Sequence, residues 1–207
     1  LLSCGKHHYM YDKYGTKIKG WKLNKTKSNA IHTAQHFVVA SKDYILLPEE
    51  NGTLNILNRK GEQRIKVKGK IDFSTNKLFV VKGETLAETR IVTIDNKGVQ
   101  QNILFDGTID NSIQFEFDEE MYYSYERAHH IGVESEDLKV NGEEMNFQYS
   151  FDNEKLSTPK LTEFKNQLYI SITDLTAEEA YLFRSPNELV DGFPLYGKTT
   201  GIIRDID

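Results

Sequence analysis

Cysteine is nearly missing from this sequence, with one residue, Cys4, among 207. A lone thiol excludes an internal disulfide, so the fold rests on packing and backbone hydrogen bonds, and the cysteine count does not identify the redox compartment. Proline is scarce at four residues and tryptophan occurs once, at Trp21. Long apolar runs are lacking too. The most continuous, Phe37-Val38-Val39-Ala40 and Tyr44-Ile45-Leu46-Leu47, have the length of buried strands and fall far short of the roughly 18 residues of a membrane-spanning helix. Positive charge is the minority sign: 26 Lys and Arg stand against 31 Asp and Glu, for a net charge of −5. That deficit argues against a nucleic-acid partner, because phosphate backbones are held by clustered Lys and Arg. The Lys-rich stretch from Lys17 to Lys27 is the local exception. Helix signals are also sparse. Thr176 to Leu182 (TAEEAYL) has an N-cap threonine but is shorter than a stable helix needs, and it reads as a decorated loop or one helical turn between strands.

Strand chemistry fills the space these absences leave. Tyr and Phe stand at 11 each, and short segments rich in Ile, Val, Leu, Thr and aromatics alternate with turn residues. One turn recurs: Tyr11-Asp12-Lys13-Tyr14-Gly15, Leu57-Asn58-Arg59-Lys60-Gly61, Ile94-Asp95-Asn96-Lys97-Gly98 and Val140-Asn141-Gly142. Each joins an apolar strand end to a second strand, at Lys17 to Trp21, Gln63 to Val67, Val99 to Phe105 and Glu144 to Tyr149. Asp and Asn bond their own backbone, and Gly supplies positive φ without steric cost, so these are hairpin signals. The glycines are spaced by 46, 37 and 44 residues, and a fifth turn, Phe183 to Asn187, follows 45 residues on. A recurrence of this length with four short strands is the signature of a propeller blade. Further strands are expected at Ala30 to Val39 and Asp43 to Leu47, and at Lys70 to Ser74 and Lys77 to Val81. The continuous apolar runs Phe37-Val38-Val39 and Leu78-Phe79-Val80-Val81 read as inner strands buried on both faces.

The expected fold is therefore all-β, a β-propeller of four-stranded antiparallel blades, either about five blades or part of a larger propeller. The blade parts are 1–29, 30–69, 70–109, 110–153 and 154–198, with the start of a next blade at 199–207. Gly20-Trp21, Gly192-Phe193-Pro194 and Asp205-Ile206-Asp207 make the chain resemble the bacterial quinoprotein-like (PQQ-repeat-like) and integrin-alpha-like propellers. The resemblance implies a scaffold in the cell envelope or periplasm. The tryptophan-docking pattern of quinone-cofactor enzymes is missing and the calcium loop of integrin-like blades is not completed at Asp205, so no cofactor is expected. Leu1-Leu2-Ser3-Cys4-Gly5 has the letters of a lipoprotein cleavage box, but in the repeat it takes the place of Tyr44 to Pro48, a second strand of a blade. On that reading Cys4 is a small buried or half-buried apolar residue.

Candidate chemistry is thin. His129-His130, near Glu126 and Glu134, and His7-His8 have metal-ligating side chains, but neighbours on a strand point to opposite faces, so no metal site is assigned. His32 and His36 share parity on an expected strand but lie too far apart to chelate together. The run from Phe115 to Glu126 combines Asp118, Glu119 and Glu120 with Tyr122, Tyr123 and Tyr125, which as a surface would suit a carbohydrate or peptide and otherwise is a polar turn followed by blade core. No phosphate loop, nucleophile elbow or Cys-His constellation is present, and no catalytic residue is assigned. Two functions follow: a non-catalytic scaffold contacting another protein or envelope component, or a propeller enzyme or binding protein acting on a carbohydrate or cofactor in a central channel. In the first, Lys17, Lys19 and Lys22 could meet an acidic partner.

Overall fold

The computed structural model describes residues 1–110, 121–201 and 203. Asp118, Glu119, Glu120 and the Asp205-Ile206-Asp207 terminus lie outside them. The chain forms two compact units, Leu1–Glu119 and Glu120–Asp207. In the first, a two-stranded sheet of β1 (Leu2–Cys4) and β2 (His7–Tyr9) precedes two four-stranded ones. These are β3 (Gln35–Val39), β4 (Lys42–Pro48), β5 (Leu54–Leu57) and β6 (Gln63–Lys66), then β7 (Phe79–Val81), β8 (Arg90–Ile94), β9 (Gln100–Leu104) and β10 (Ile109–Asp110). In the second, β11 (Tyr122–Glu126), β12 (His129–Glu134), β13 (Asp137–Asn141) and β14 (Asn146–Ser150) form one sheet. The last sheet comprises β15 (Lys160–Phe164), β16 (Gln167–Asp174), β17 (Glu179–Arg184) and β18 (Glu188–Leu189), with β19 (Leu195–Tyr196) also on β17. All pairings are antiparallel between chain neighbours, apart from the β17–β19 pair, and there is no helix among the described residues.

The recurring turns share one geometry. The Asp12 side chain accepts from the N–H groups of Tyr14 and Thr16 at 2.8 and 2.9 Å, Asn58 from Lys60 and Glu62 at 2.8 and 3.1 Å, and Asp95 from Lys97 and Val99 at 2.9 Å each. Gly15, Gly61 and Gly98 donate back to the carbonyls of those same three residues and hold φ at +79°, +74° and +75°. Such a left-handed residue closes a hairpin cleanly only as glycine.

The third of these turns is nevertheless in a different place. Asp95–Gly98 joins β8 to β9, the second and third strands of their sheet, whereas Asn58–Gly61 joins the third and fourth strands, β5 and β6. The partner of Asp95–Gly98 is Glu49–Gly52, and the partner of Asn58–Gly61 is Leu104–Gly107. In the corrected phase Gly15, Gly61 and Gly107 recur at intervals of 46 residues, as do Gly52 and Gly98. The 37-residue spacing was a slip of one hairpin, because the same Asx-plus-glycine chemistry closes both kinds of hairpin. Accordingly, of the strands expected at Lys70 to Ser74 and Lys77 to Val81, the first is a connection touching the sheet through a Phe73–Asp95 bridge, and the second is present as β7 but is the first strand of its sheet rather than the second. Likewise Lys17 to Trp21 is reduced to a Tyr11–Lys17 bridge, and Thr176 to Leu182 is a turn leading into β17 from Glu179.

The doubly buried strands are central ones. Tyr44 and Leu46 of β4 pack with Leu54 and Ile56 of β5, and with Ile91 and Ile103 of the neighbouring sheet. Ile45 and Leu57 face the other way, onto Trp21. Both faces of β4 are covered, which is why Tyr44 to Leu47 does not alternate. The edge strands expected to be buried on both faces are not: Val38 is 53% exposed and Phe79–Val81 are half-buried. Trp21, 5% exposed, donates its indole N–H to the Leu23 carbonyl at 2.6 Å, and a Cβ on Gly61 would lie 2.9 Å from its ring. In the second unit Ile131, Val133, Leu138 and Val140 pack with Leu161, Leu168, Ile170, Ile172 and Phe183. Each such aliphatic side chain contributes about 1.5–3 kcal/mol on full burial.

Candidate functional site

The histidine pairs divide between faces as strand geometry requires. On β2, His7 is exposed and His8 is fully buried. His8 Nδ1 lies 3.0 Å from Ser3 Oγ and its Nε2 lies 2.9 Å from Thr26 Oγ1. Thr26 Oγ1 is also 2.7 Å from the Ser28 carbonyl, to which it donates its one proton, so His8 donates from Nε2 and accepts from Ser3. Burial pushes the His8 pKa below the ordinary histidine value; the Glu49 charge opposes this and the His7 charge adds to it. On β12, His129 is buried and donates from Nδ1 to the Arg127 carbonyl at 2.6 Å, while His130 Nδ1 meets the Tyr123 hydroxyl at 2.6 Å. Glu134 pairs with Lys139, and Glu126 stands opposite His129 in register. The described residues hold no group of three or more His, Cys, Asp or Glu able to bind a metal ion.

His32 precedes β3 and reaches the Ser74 carbonyl at 2.9 Å, whereas His36 bonds Asp43 at 2.9 Å, so the two are not on one strand. His36 first and Arg59 second hold the Asp43 carboxyl below its ordinary pKa. Cys4, expected to be buried or half-buried, is exposed together with the rest of β1, because β2 is its only strand neighbour among the described residues. Of the tyrosine run, Tyr123 is core and Tyr122 and Tyr125 are half-buried. Lys17, Lys19 and Lys22 are all exposed.

Two features escaped the sequence reading. The first is a buried acid at or just beyond the end of the second strand of three sheets: Glu49, Asp95 and Asp174, at 2%, 8% and 1% exposure. Each forms a bridge to the connection that precedes its sheet, at Ala30, Phe73 and Leu156 respectively. Each is also met by a side-chain amide, from Asn55 at 2.8 Å, Gln101 at 2.8 Å and Asn153 at 2.9 Å. Buried carboxylates persist only when hydrogen-bonded in this way. For Asp174, burial acts to raise the pKa but is outweighed by the Ala177 N–H, the Asn153 amide and the Thr176 N–H, which hold it below the usual carboxylate value. The 46-residue interval between Glu49 and Asp95, each with a glycine three residues on, was the available signal.

The second feature is a cleft of about 480 Å³ in the first unit. Lys25, Lys27, Lys66 and Lys70 line it, and Leu23, Leu54 and Val67 supply apolar lining. All four lysines are exposed. Glu49 also lines the cleft, but its carboxylate is already engaged by the Ser28 N–H and hydroxyl and the Asn51 and Asn55 amides. Lys70 Nζ is held by Asn51 Oδ1 and Thr53 Oγ1. The site therefore offers ammonium groups beside apolar side chains, an arrangement suited to carboxylates.

No family model matches the sequence, and no curated protein matches it. Solved structures do resemble the fold. A crystal structure of BBS1N in complex with ARL6DN, soaked with mercury, aligns with a TM-score of 0.63 at 16% identity, covering 94% of this chain and 64% of BBS1N. A second, soaked with lead, aligns with a TM-score of 0.57 at 14% identity, covering 95% and 67%. The chain thus spans about two thirds of the length of BBS1N. BBS1N is a β-propeller domain, and with the successive four-stranded antiparallel sheets the likeness shows a fold of the β-propeller class.

Proposed function

We propose that the chain is a non-catalytic β-propeller scaffold that binds another protein, with its five sheets as successive blades and the cell envelope as its setting. The observation that carries this reading is the likeness to BBS1N, a propeller solved with ARL6DN bound to it. The fate of the titratable groups supports it. His8, Glu49, Asp95 and Asp174 are committed to hydrogen bonds that close turns or join connections to sheets, and groups so engaged hold a framework rigid. Solvated hairpins and exposed lysines are then the contact groups, as expected of a fold whose function resides in its surface. The test is capture from a lysate with the purified chain as bait, followed by the reverse capture. One protein recovered in stoichiometric amount in both directions is the expected result. Recovery of none, together with saturable calorimetric binding of a soluble oligosaccharide, would overturn the reading.

A further inference from the structure

We propose that the lysine-rimmed cleft of the first unit seats an extended acidic segment of the protein partner, a proposal that rests on the scaffold reading. Charge is the first argument. Four lysines, Lys25, Lys27, Lys66 and Lys70, converge on one opening of a chain whose net charge is −5. The one acid lining it, Glu49, is turned to internal donors. Ammonium groups are compact point charges on flexible stems, able to follow carboxylates at variable positions along a peptide, whereas an arginine fork demands fixed bidentate geometry of a carboxylate or a phosphate alike. No arginine lines this cleft.

Shape is the second argument. At about 480 Å³ the cleft is within the roughly 300–1,000 Å³ range of ligand sites. One wall comes from β6, whose Gln63 and Lys66 line it, and β6 is an edge strand of its sheet. An edge presents backbone N–H and C=O groups outward, and an extended peptide can pair with those that precede Lys66, whose carbonyl already packs on Gly107. Successive side chains of such a peptide point to opposite sides. Acids at alternate positions would meet the lysines, while the intervening apolar residues would cover Leu23, Leu54 and Val67. A small polyanion uses neither the edge nor the apolar lining.

The test is fluorescence anisotropy with a short labelled peptide of alternating glutamate and valine, its glutamine-valine counterpart, and citrate as competitor. The glutamate peptide should bind the full chain and the glutamine peptide should not. Affinity should fall roughly tenfold or more in Lys25→Glu/Lys27→Glu and in Lys66→Glu/Lys70→Glu, and less than about twofold in Lys17→Glu/Lys19→Glu, which changes the same charge outside the cleft. Lys→Gln pairs, with unfolding midpoints matching the parent, should give intermediate losses. Equal weakening by the Lys17/Lys19 pair, or citrate competing as well as unlabelled peptide, would overturn the proposal. The two readings fail separately. A partner captured undiminished by either cleft pair removes the cleft and leaves the scaffold, while peptide binding by a chain that captures no protein removes the scaffold and leaves the cleft.

Discussion

The sheet β3–β6 and the sheet β11–β14 have the same strand order but turn the chain by different chemistry. In β3–β6 the second and third hairpins each place a glycine at positive φ, Gly52 at +82° and Gly61 at +74°. In β11–β14 the first two turns pass through Arg127, Ala128 and Ser135 at +47°, +61° and +50°. The third contains Gly142, which is not in that region and instead makes room for His129. Glycine therefore serves conformation, with close packing added, in one sheet and space alone in the other, and substitutions separate the two roles.

Gly107 combines both roles and should give the largest effect. Its φ is +85°, and an added Cβ would lie 2.2 Å from the Lys66 carbonyl oxygen. Gly15 has φ +79° with nothing within 4 Å of the Cβ position. Left-handed strain alone costs about 1–2 kcal/mol, and forced backbone displacement adds about 1–3. Gly107→Ala should thus lose about 3 kcal/mol or more in urea unfolding and Gly15→Ala about 1. Equal losses would show that the docking of Lys66 and Lys68 on Gly107 contributes nothing.

Gly142→Ala should come next, at about 1–3 kcal/mol, because the new methyl would lie 2.1 Å from His129 Cδ2. The loss here comes from a side chain, so truncating that side chain should relieve it. In a double-mutant cycle Gly142→Ala should be milder on a His129→Ala background, whereas Gly107→Ala should cost the same on either background. Additive behaviour at Gly142 would remove the spatial role assigned to it.

The same contrast explains how much was legible beforehand. The all-β class, the four-stranded sheets and the geometry at Asp12, Asn58 and Asp95 followed from residue chemistry, since Asx followed by glycine has few other uses. The phase did not, because Asp95–Gly98 and Asn58–Gly61 are chemically alike and only pairing distinguishes them. The two-residue turns Ala40-Ser41, Arg127-Ala128 and Lys165-Asn166, all at positive φ, carry weak turn signals or none. Burial was misjudged at Val38 and Phe79 because an apolar run does not say whether its strand lies at an edge or in the centre. The cleft was half visible: the stretch from Lys17 to Lys27 is a local run of lysines, but Lys66 on β6 and Lys70 in the connection after it join residues 23–27 only through the fold.

Asp174 extends the comparison to pH. Its carboxyl is held below its ordinary value in the folded chain, so the stability it supplies is fully present above the unfolded carboxylate pKa of about 4 and is lost as pH falls through the lower folded pKa. Asp174→Asn should lower stability at neutral pH by about 1–3 kcal/mol and flatten the acid limb of the stability profile in that window. An acid limb unchanged by the substitution would mean that Asp174 binds protons alike in both states.

The smallest effect should have the opposite sign. Ser41 at φ +58° and Ala128 at φ +61° occupy the second place of two-residue hairpin turns where glycine is favoured. Glycine removes strain of about 1–2 kcal/mol but frees the unfolded chain by about 0.4–1. Ser41→Gly and Ala128→Gly should each therefore raise stability by roughly 0.5 kcal/mol. A gain at both sites would place the glycine-free turns of the two units under the same strain, relieved by the residue that Gly61 already supplies elsewhere. A loss at Ala128 alone would mean that its methyl packs favourably enough to offset its backbone, and that the two units tolerate left-handed residues for different reasons.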